Sequence, residues 1–115
     1  HAMEDQGIEE DANIQAELIK KYGFESQGPS GLEYAYNQAV GCKYDLTQFK
    51  YIIDEASPWE YGQTNCAEHF AVSFEHYTAG GQDSCLLKNI SPNSYNFIKR
   101  YIYGGKEFIP KNGCP

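Results

Sequence analysis

Apolar residues recur at helical spacing along two stretches of the chain, residues 30–40 and 66–78. A stripe that repeats every three or four residues is typical of an amphipathic helix with one buried face. Both stretches end at a glycine, Gly41 and Gly80, and glycine commonly follows the last turn of a helix. The predicted inward residues are Leu32, Ala35, Tyr36, Ala39 and Val40 in the first stretch and Ala67, Phe70, Ala71, Phe74 and Tyr77 in the second.

Three weaker patterns predict helices over residues 12–22, 46–55 and 92–103. The first stretch runs from acidic residues to two lysines, the charge order that the helix dipole favours. The second follows Asp45, and the third follows Ser91 and a proline, which are residues that favour the first turn of a helix. The predicted inward residues are Leu46, Phe49, Ile52 and Ile53 in the second stretch and Tyr95, Ile98 and Ile102 in the third.

Together these patterns predict a mainly α, single small domain over residues 12–115, with about five helices and short connections. The tail over residues 106–115 has room for one short strand, and we expect at most one short strand pair in the domain. Residues 1–11 are set apart from this domain. They open with His-Ala-Met, which is typical of a cloning scar and indicates that a natural leader has been removed, and continue as an acidic stretch that we expect to be flexible.

Four cysteines, with no C-x-x-C pair among them, predict two disulfides in an oxidised, secreted protein. Three pairings are possible, and the sequence does not choose among them. We favour Cys42–Cys66, which would join the end of one predicted helix to the start of another, and Cys85–Cys114, which would anchor the tail. The alternative is a cytosolic protein with four buried free thiols.

The charge pattern limits the partners that we expect. The chain has 9 basic and 16 acidic residues, a net charge of -7, and no stripe of lysine and arginine that would follow a nucleic-acid backbone. Its apolar runs are only a few residues long, too short to span a membrane. We therefore expect neither a nucleic acid nor a membrane span, and we expect a monomer.

Two predicted helices carry the candidate chemistry. One contains LEYAYNQAVG over residues 32–41 and the other CAEHFAVSF over residues 66–74, with Tyr61 between them and SPNSYNFI over residues 91–98. This order and spacing, over residues 30–103, resembles the catalytic domain of the anthrax-lethal-factor-like zinc metallopeptidases, a zincin fold. In that family an H-E-x-x-H helix is followed by a tyrosine and then by a helix that carries a third zinc ligand, a glutamate.

The resemblance implies a role for five positions. Glu33 corresponds to the general base, Tyr61 to the transition-state tyrosine and Glu68 to the zinc-ligand glutamate, whereas the two histidine ligands fall on Leu32 and Tyr36. Catalytic zinc of this type needs two imidazoles, a carboxylate and an open position for water. Leucine cannot bind zinc and neutral tyrosine binds it poorly. We therefore expect no metal, no cofactor and no peptidase activity, with both replacements serving as core residues in a vacated site.

Other residues offer no substitute metal site. His69 and His76 lie seven positions apart, which separates them by about 10 Å along a helix, too far for one zinc ion. With Ser73 they form a polar stripe, for which the simplest interpretation is a solvent-exposed face. Glu68 also follows Asn65 by three residues, and this capping-box spacing alone would explain it.

The function that we expect is that of a secreted pseudopeptidase, an effector or virulence-type protein that binds a polypeptide partner. The partner would occupy the vestigial cleft or the aromatic surface around it. The residues of that cleft are Leu32, Glu33, Tyr36, Tyr61 and Glu68. Two alternatives stay open: an active hydrolase with an unorthodox site at Glu33, Tyr61 and Glu68, and a disulfide-stabilised structural domain unrelated to peptidases.

Overall fold

The computed structural model describes residues 29–115, so the predicted helix over residues 12–22 and the segment over residues 1–11 lie outside the described residues. The described chain confirms the mainly α class. Its elements are α1 (Pro29–Val40), β1 (Cys42–Asp45), β2 (Lys50–Ile53), a 3-10 helix (Glu60–Gln63), α2 (Cys66–Ala79), α3 (Gly81–Ile90) and α4 (Pro92–Tyr101). None of these helices is long and apolar enough to cross a membrane.

The core lies where α1, α2 and α4 meet, and aromatic rings fill its centre. The Tyr36 ring stacks on the Phe70 ring, with centroids 4.0 Å apart, and meets the Phe97 ring edge-on at 5.4 Å. Such ring pairs add about 0.5–1.5 kcal/mol each to the effect of burial. The predicted stripe of α1 is confirmed at four positions, because Leu32, Ala35, Tyr36 and Val40 are all buried.

The predicted helix over residues 46–55 is wrong, because β1 and β2 form an antiparallel hairpin there. Leu46 and Phe49, which were expected to face the core, are 75% and 78% exposed. Ile52 and Ile53 lie in β2 and are half-buried. The strand pair of this fold is therefore the hairpin, and the tail over residues 106–115 contains no strand.

Local chemistry explains the hairpin. The Asp45 carboxylate accepts hydrogen bonds from the backbone N–H and hydroxyl of Thr47, at 2.8 and 2.6 Å, and from the Gln48 amide at 2.8 Å. These bonds close a turn instead of capping a helix. Beside the turn, the Tyr44 and Tyr51 rings meet across the strands with centroids 5.0 Å apart, a cross-strand contact that stabilises sheet pairing.

Helix α2 begins and ends as its sequence predicts. The prediction that Ala67 faces inward is wrong, because this residue is exposed in the first turn of the helix. The Asn65 side chain accepts a hydrogen bond from the Glu68 N–H at 2.8 Å, which confirms Asn65 as the cap. The helix ends at Gly80, where φ is 75° and a Cβ atom would come within 2.8 Å of the Phe108 carbonyl oxygen. Glycine is required there, because the tail crosses the chain at that point.

Helix α3 was not predicted. It starts directly after Gly80 and turns few large apolar side chains inward, because its buried residues are Ser84, Cys85 and Leu87. A helix with two small buried residues and one large one shows little apolar stripe. The last predicted helix is confirmed as α4, although it ends at Tyr101 and leaves Ile102 half-buried beyond it.

Two disulfides close the fold, with the pairing that we favoured. Cys42 bonds to Cys66 and ties the hairpin to the start of α2, and Cys85 bonds to Cys114 and ties the tail to α3. Further contacts hold the tail, since the Tyr77 hydroxyl donates to the Lys106 carbonyl and the Phe108 ring meets the Tyr77 ring edge-on at 5.8 Å.

Candidate functional site

The five positions of the predicted cleft lie in three different environments. Leu32 and Tyr36 are fully buried, with no exposed surface, and cannot line an open cleft. Glu33 is exposed on the outer side of α1, and Tyr61 is 50% exposed on the 3-10 helix. Glu68 is half-buried in the first turn of α2. The two positions that the resemblance assigns to histidine ligands, Leu32 and Tyr36, therefore belong to the core.

A buried polar cluster surrounds the Tyr36 hydroxyl, and it draws α1, α2 and α4 together. We call it the Tyr36 cluster, and its members are Tyr36, His69, Ser73 and Ser94, all fully buried. The hydroxyl oxygen of Tyr36 lies 2.7 Å from His69 Nδ1, 3.0 Å from the Ser73 oxygen and 2.6 Å from the Ser94 oxygen. The Tyr36 hydroxyl therefore bonds to His69 on α2 and not to Glu68, the residue next to it in the sequence.

The prediction of a solvent-exposed stripe on α2 is therefore wrong for two of its three residues. His69 and Ser73 are buried because the Tyr36 hydroxyl gives their polar atoms a partner inside the core. His76 is half-buried, and its Nδ1 bonds to the Val72 carbonyl at 3.0 Å. These three polar residues therefore lie on the side of α2 that packs against the rest of the protein.

Hydrogen bonding fixes the proton of His69. Its Nε2 lies 3.0 Å from the Glu55 carbonyl oxygen, which can only accept, so Nε2 carries the proton and donates. Burial lowers the pKa of His69 below its usual range and raises the pKa of Tyr36 well above its own. Both side chains are therefore neutral near pH 7. Nδ1 of the neutral ring is an acceptor, and the Tyr36 hydroxyl donates to it.

Glu55 connects the hairpin to this cluster. Its carboxylate accepts hydrogen bonds from the N–H groups of Asn93 and Ser94, at 2.9 and 2.7 Å, so it caps α4 from outside the helix. The predicted cap, Ser91, instead donates its hydroxyl to the Ala56 carbonyl. Sequence reasoning missed Glu55 because no local pattern marks a cap almost 40 residues before its helix.

The Tyr36 cluster is built for packing. All four members are closed to solvent, so no substrate can reach a serine hydroxyl or His69 without opening the core. The cluster also does not suit zinc, since Leu32 offers no donor atom and the Tyr36 oxygen already has three partners. Across residues 29–115, no group of three or more His, Cys, Asp or Glu is placed to hold a metal ion.

Exposed apolar side chains concentrate on the hairpin. We call this group the hairpin surface; its residues are Tyr44 (46% exposed), Leu46 (75%), Phe49 (78%) and Tyr51 (42%). Phe49 is also, within residues 29–115, the one non-glycine residue with a positive φ, at 55°. Outside glycine, asparagine and aspartate this left-handed conformation is uncommon, and it costs about 1–2 kcal/mol.

A second exposed aromatic group precedes α2. The rings of Trp59 and Tyr61 lie side by side, with centroids 5.2 Å apart and planes tilted by 34°, and each is about half exposed. They line a shallow hollow together with Glu60 and Thr64. The Tyr61 position, which the resemblance assigns to catalysis, is thus part of an open aromatic surface.

Comparison with known proteins identifies no relative of this chain. No family model, no curated protein and no solved structure matches the chain.

Proposed function

We propose that this is a secreted, non-enzymatic binding protein, a pseudopeptidase of the effector type, that engages a polypeptide partner through its hairpin surface. The observation that carries the proposal is Phe49, a large apolar side chain held at the tip of the hairpin in an unfavourable backbone conformation and left 78% exposed. Two disulfides and no membrane-crossing helix in the described chain are compatible with secretion.

The Asp45 hydrogen bonds hold the turn closed, but burial of the Phe49 ring does not offset the strain of its backbone. Burying a phenyl ring would contribute about 1.5–3 kcal/mol, but the ring lies outside the core. Strained residues tend to occur where function requires a side chain to point in a set direction. Leu46, three residues earlier in the same turn, is equally exposed, so the turn presents two apolar side chains to its surroundings.

The shape of the hairpin surface favours a protein groove as its binding site. A two-stranded ribbon ending in two apolar side chains is narrow enough to enter a groove, and main-chain groups along its strands can pair with a partner strand. The Tyr44 and Tyr51 rings pack together behind the tip, and tyrosine is enriched where proteins meet. The proposed binding site for Leu46 and Phe49 is therefore an apolar groove on the partner protein.

The resemblance to lethal-factor-like peptidases supports the non-enzymatic part of the proposal. Both histidine ligand positions hold residues that are packed in the core, Leu32 and Tyr36. We propose a degenerate zincin ancestry on that basis. Binding through the hairpin surface does not depend on this ancestry.

Photocrosslinking tests the proposal directly. A benzophenone amino acid at position 49, which resembles phenylalanine in shape, should form one discrete polypeptide adduct in the fluid into which the protein is secreted. The adduct should disappear when excess unlabelled wild-type protein competes for the partner. The same amino acid at Leu86, a 40% exposed position on α3, is the matched control and should give no such adduct.

The competitor variants separate binding from folding. Excess Leu46→Ala or Phe49→Gly protein should fail to compete, because each lacks a side chain of the tip. Phe49→Gly should melt no lower than the wild type, because glycine tolerates a φ of 55°. Competition by these variants equal to that of the wild type, an adduct of equal yield at Leu86, or no polypeptide adduct at position 49 would each contradict the proposal.

A further inference from the structure

The backbone beneath the hollow beside Trp59 and Tyr61 is held by hydrogen bonds. The Gly62 N–H donates to the Trp59 carbonyl at 2.8 Å, and both the N–H and the hydroxyl of Thr64 donate to the Tyr61 carbonyl, at 3.2 and 2.7 Å. Gly62 is buried, and a Cβ atom there would come within 2.1 Å of the Ser57 hydroxyl. The turn is thus seated closely on the chain below it, which orients the two rings without covering them.

The chemistry of the hollow matches a cation. It is open to solvent, its two aromatic faces carry negative electrostatic potential, and Glu60, which also lines it, adds a negative charge. The protein as a whole has a net charge of -7, which attracts basic ligands over longer distances.

Within the chain, aromatic rings already accept cations in this way. The Lys88 ammonium lies 5.4 Å from the centroid of the Tyr95 ring, and the Lys106 ammonium lies 5.3 Å from that of Phe108. Both distances fall inside the 6 Å range of a cation–π contact. The Trp59–Tyr61 pair is better suited, since tryptophan is the strongest aromatic partner and Glu60 supplies an ion-pair partner.

We infer that Trp59, Glu60 and Tyr61 form a binding site for a basic side chain, lysine or arginine, of a polypeptide. The guanidinium or ammonium group would lie against the aromatic faces, with Glu60 at its edge. The inference rests on the proposed function only in taking the ligand to be part of a polypeptide, since these residues lie outside the hairpin surface.

Trp59 is the chain's single tryptophan, so its fluorescence reports on this site alone. The probe is an acetylated and amidated tetra-arginine peptide, titrated into the full chain at low salt. The control probe is the matching tetra-citrulline peptide, which keeps the shape and lacks the charge. We expect a saturable fluorescence change with arginine and none with citrulline. A tetra-lysine peptide should also bind.

Matched variants locate the site. Tyr61→Ala and Glu60→Gln should each weaken binding about threefold to fivefold, the range that one exposed cation–π contact or ion pair supports. Tyr34→Ala and Glu75→Gln, which alter an exposed tyrosine on α1 and an exposed glutamate on α2, should bind as the wild type does. Circular dichroism confirms that each variant is folded.

Four results would overturn the inference: no saturable change with tetra-arginine, equal binding of tetra-citrulline, equal weakening by the control variants, or saturable binding of a neutral oligosaccharide such as cellohexaose in place of the arginine peptide. The last result would assign the aromatic pair to sugars. Failure of the tetra-arginine titration would leave the crosslinking result at Phe49 unchanged, and failure of the crosslinking would leave the titration unchanged. The two proposals can therefore be refuted independently.

Discussion

Replacing Tyr36 with phenylalanine is expected to lower the free energy of unfolding by about 3 kcal/mol, although it removes a single oxygen atom. The hydroxyl is the shared partner of His69, Ser73 and Ser94, and none of these side chains can reach water. Without it, His69 Nδ1 becomes a buried acceptor with no donor. Leaving such a group unpaired costs more than the hydrogen bond itself contributed.

Urea unfolding at pH 7, followed by circular dichroism, measures this effect. Tyr51→Phe is the matched control, because it removes the hydroxyl of a half-exposed tyrosine and should change the free energy of unfolding by less than about 0.5 kcal/mol. Combining Tyr36→Phe with Ser94→Ala should recover part of the lost free energy of unfolding, since the second change removes a buried hydroxyl that has lost its partner. A Tyr36→Phe variant as stable as the control would show that the Tyr36 cluster does not hold the helices together.

Removing the Cys85–Cys114 disulfide is expected to lower the melting temperature by about 10–20 °C, which corresponds to roughly 3 kcal/mol in a domain of this size. The bond closes a loop with a sequence separation of 29 residues, so its loss enlarges the unfolded ensemble. It also frees the tail, including the Phe108 ring that packs edge-on against Tyr77.

Thermal unfolding of the Cys85→Ala/Cys114→Ala variant tests this expectation. Lys111→Ala, an exposed change in the same tail, is the control and should leave the melting temperature unchanged. Limited proteolysis should cleave the double variant first within residues 102–115. A melting temperature within about 3 °C of the wild type would mean that the remaining contacts fix the tail without the disulfide.

The helices that sequence predicts well are those whose apolar stripe is local and long. In α1 the stripe spans three turns and ends at glycine, so residue spacing alone identifies the buried face. The hairpin shows where this reasoning fails. Leu46, Phe49, Ile52 and Ile53 match helical spacing equally well, and Asp45 can cap a helix or close a turn with the same oxygen atoms.

The environment of the Tyr36 cluster could not be predicted because its members lie far apart in sequence. Both ring nitrogens of buried His69 have distant partners: the Tyr36 hydroxyl, 33 residues earlier, bonds to Nδ1, and the Glu55 carbonyl bonds to Nε2. Read along α2 alone, a histidine and a serine one turn apart indicate a solvent-exposed face. The roles of Leu32 and Tyr36 were easier to infer, since an apolar residue and an aromatic residue on a buried stripe pack in a core whether or not an ancestor bound zinc there.

The claim that Leu32 and Tyr36 are core residues, and not part of a metal site, is tested most directly by calorimetric titration of zinc into the chelator-treated wild-type protein at pH 7. We predict no binding at one zinc per chain, because Leu32 has no donor atom and the Tyr36 hydroxyl is committed to His69, Ser73 and Ser94. Stoichiometric zinc binding that is lost in a folded Glu68→Ala variant would contradict this claim, because it would mean that the protein has a zinc site that includes Glu68.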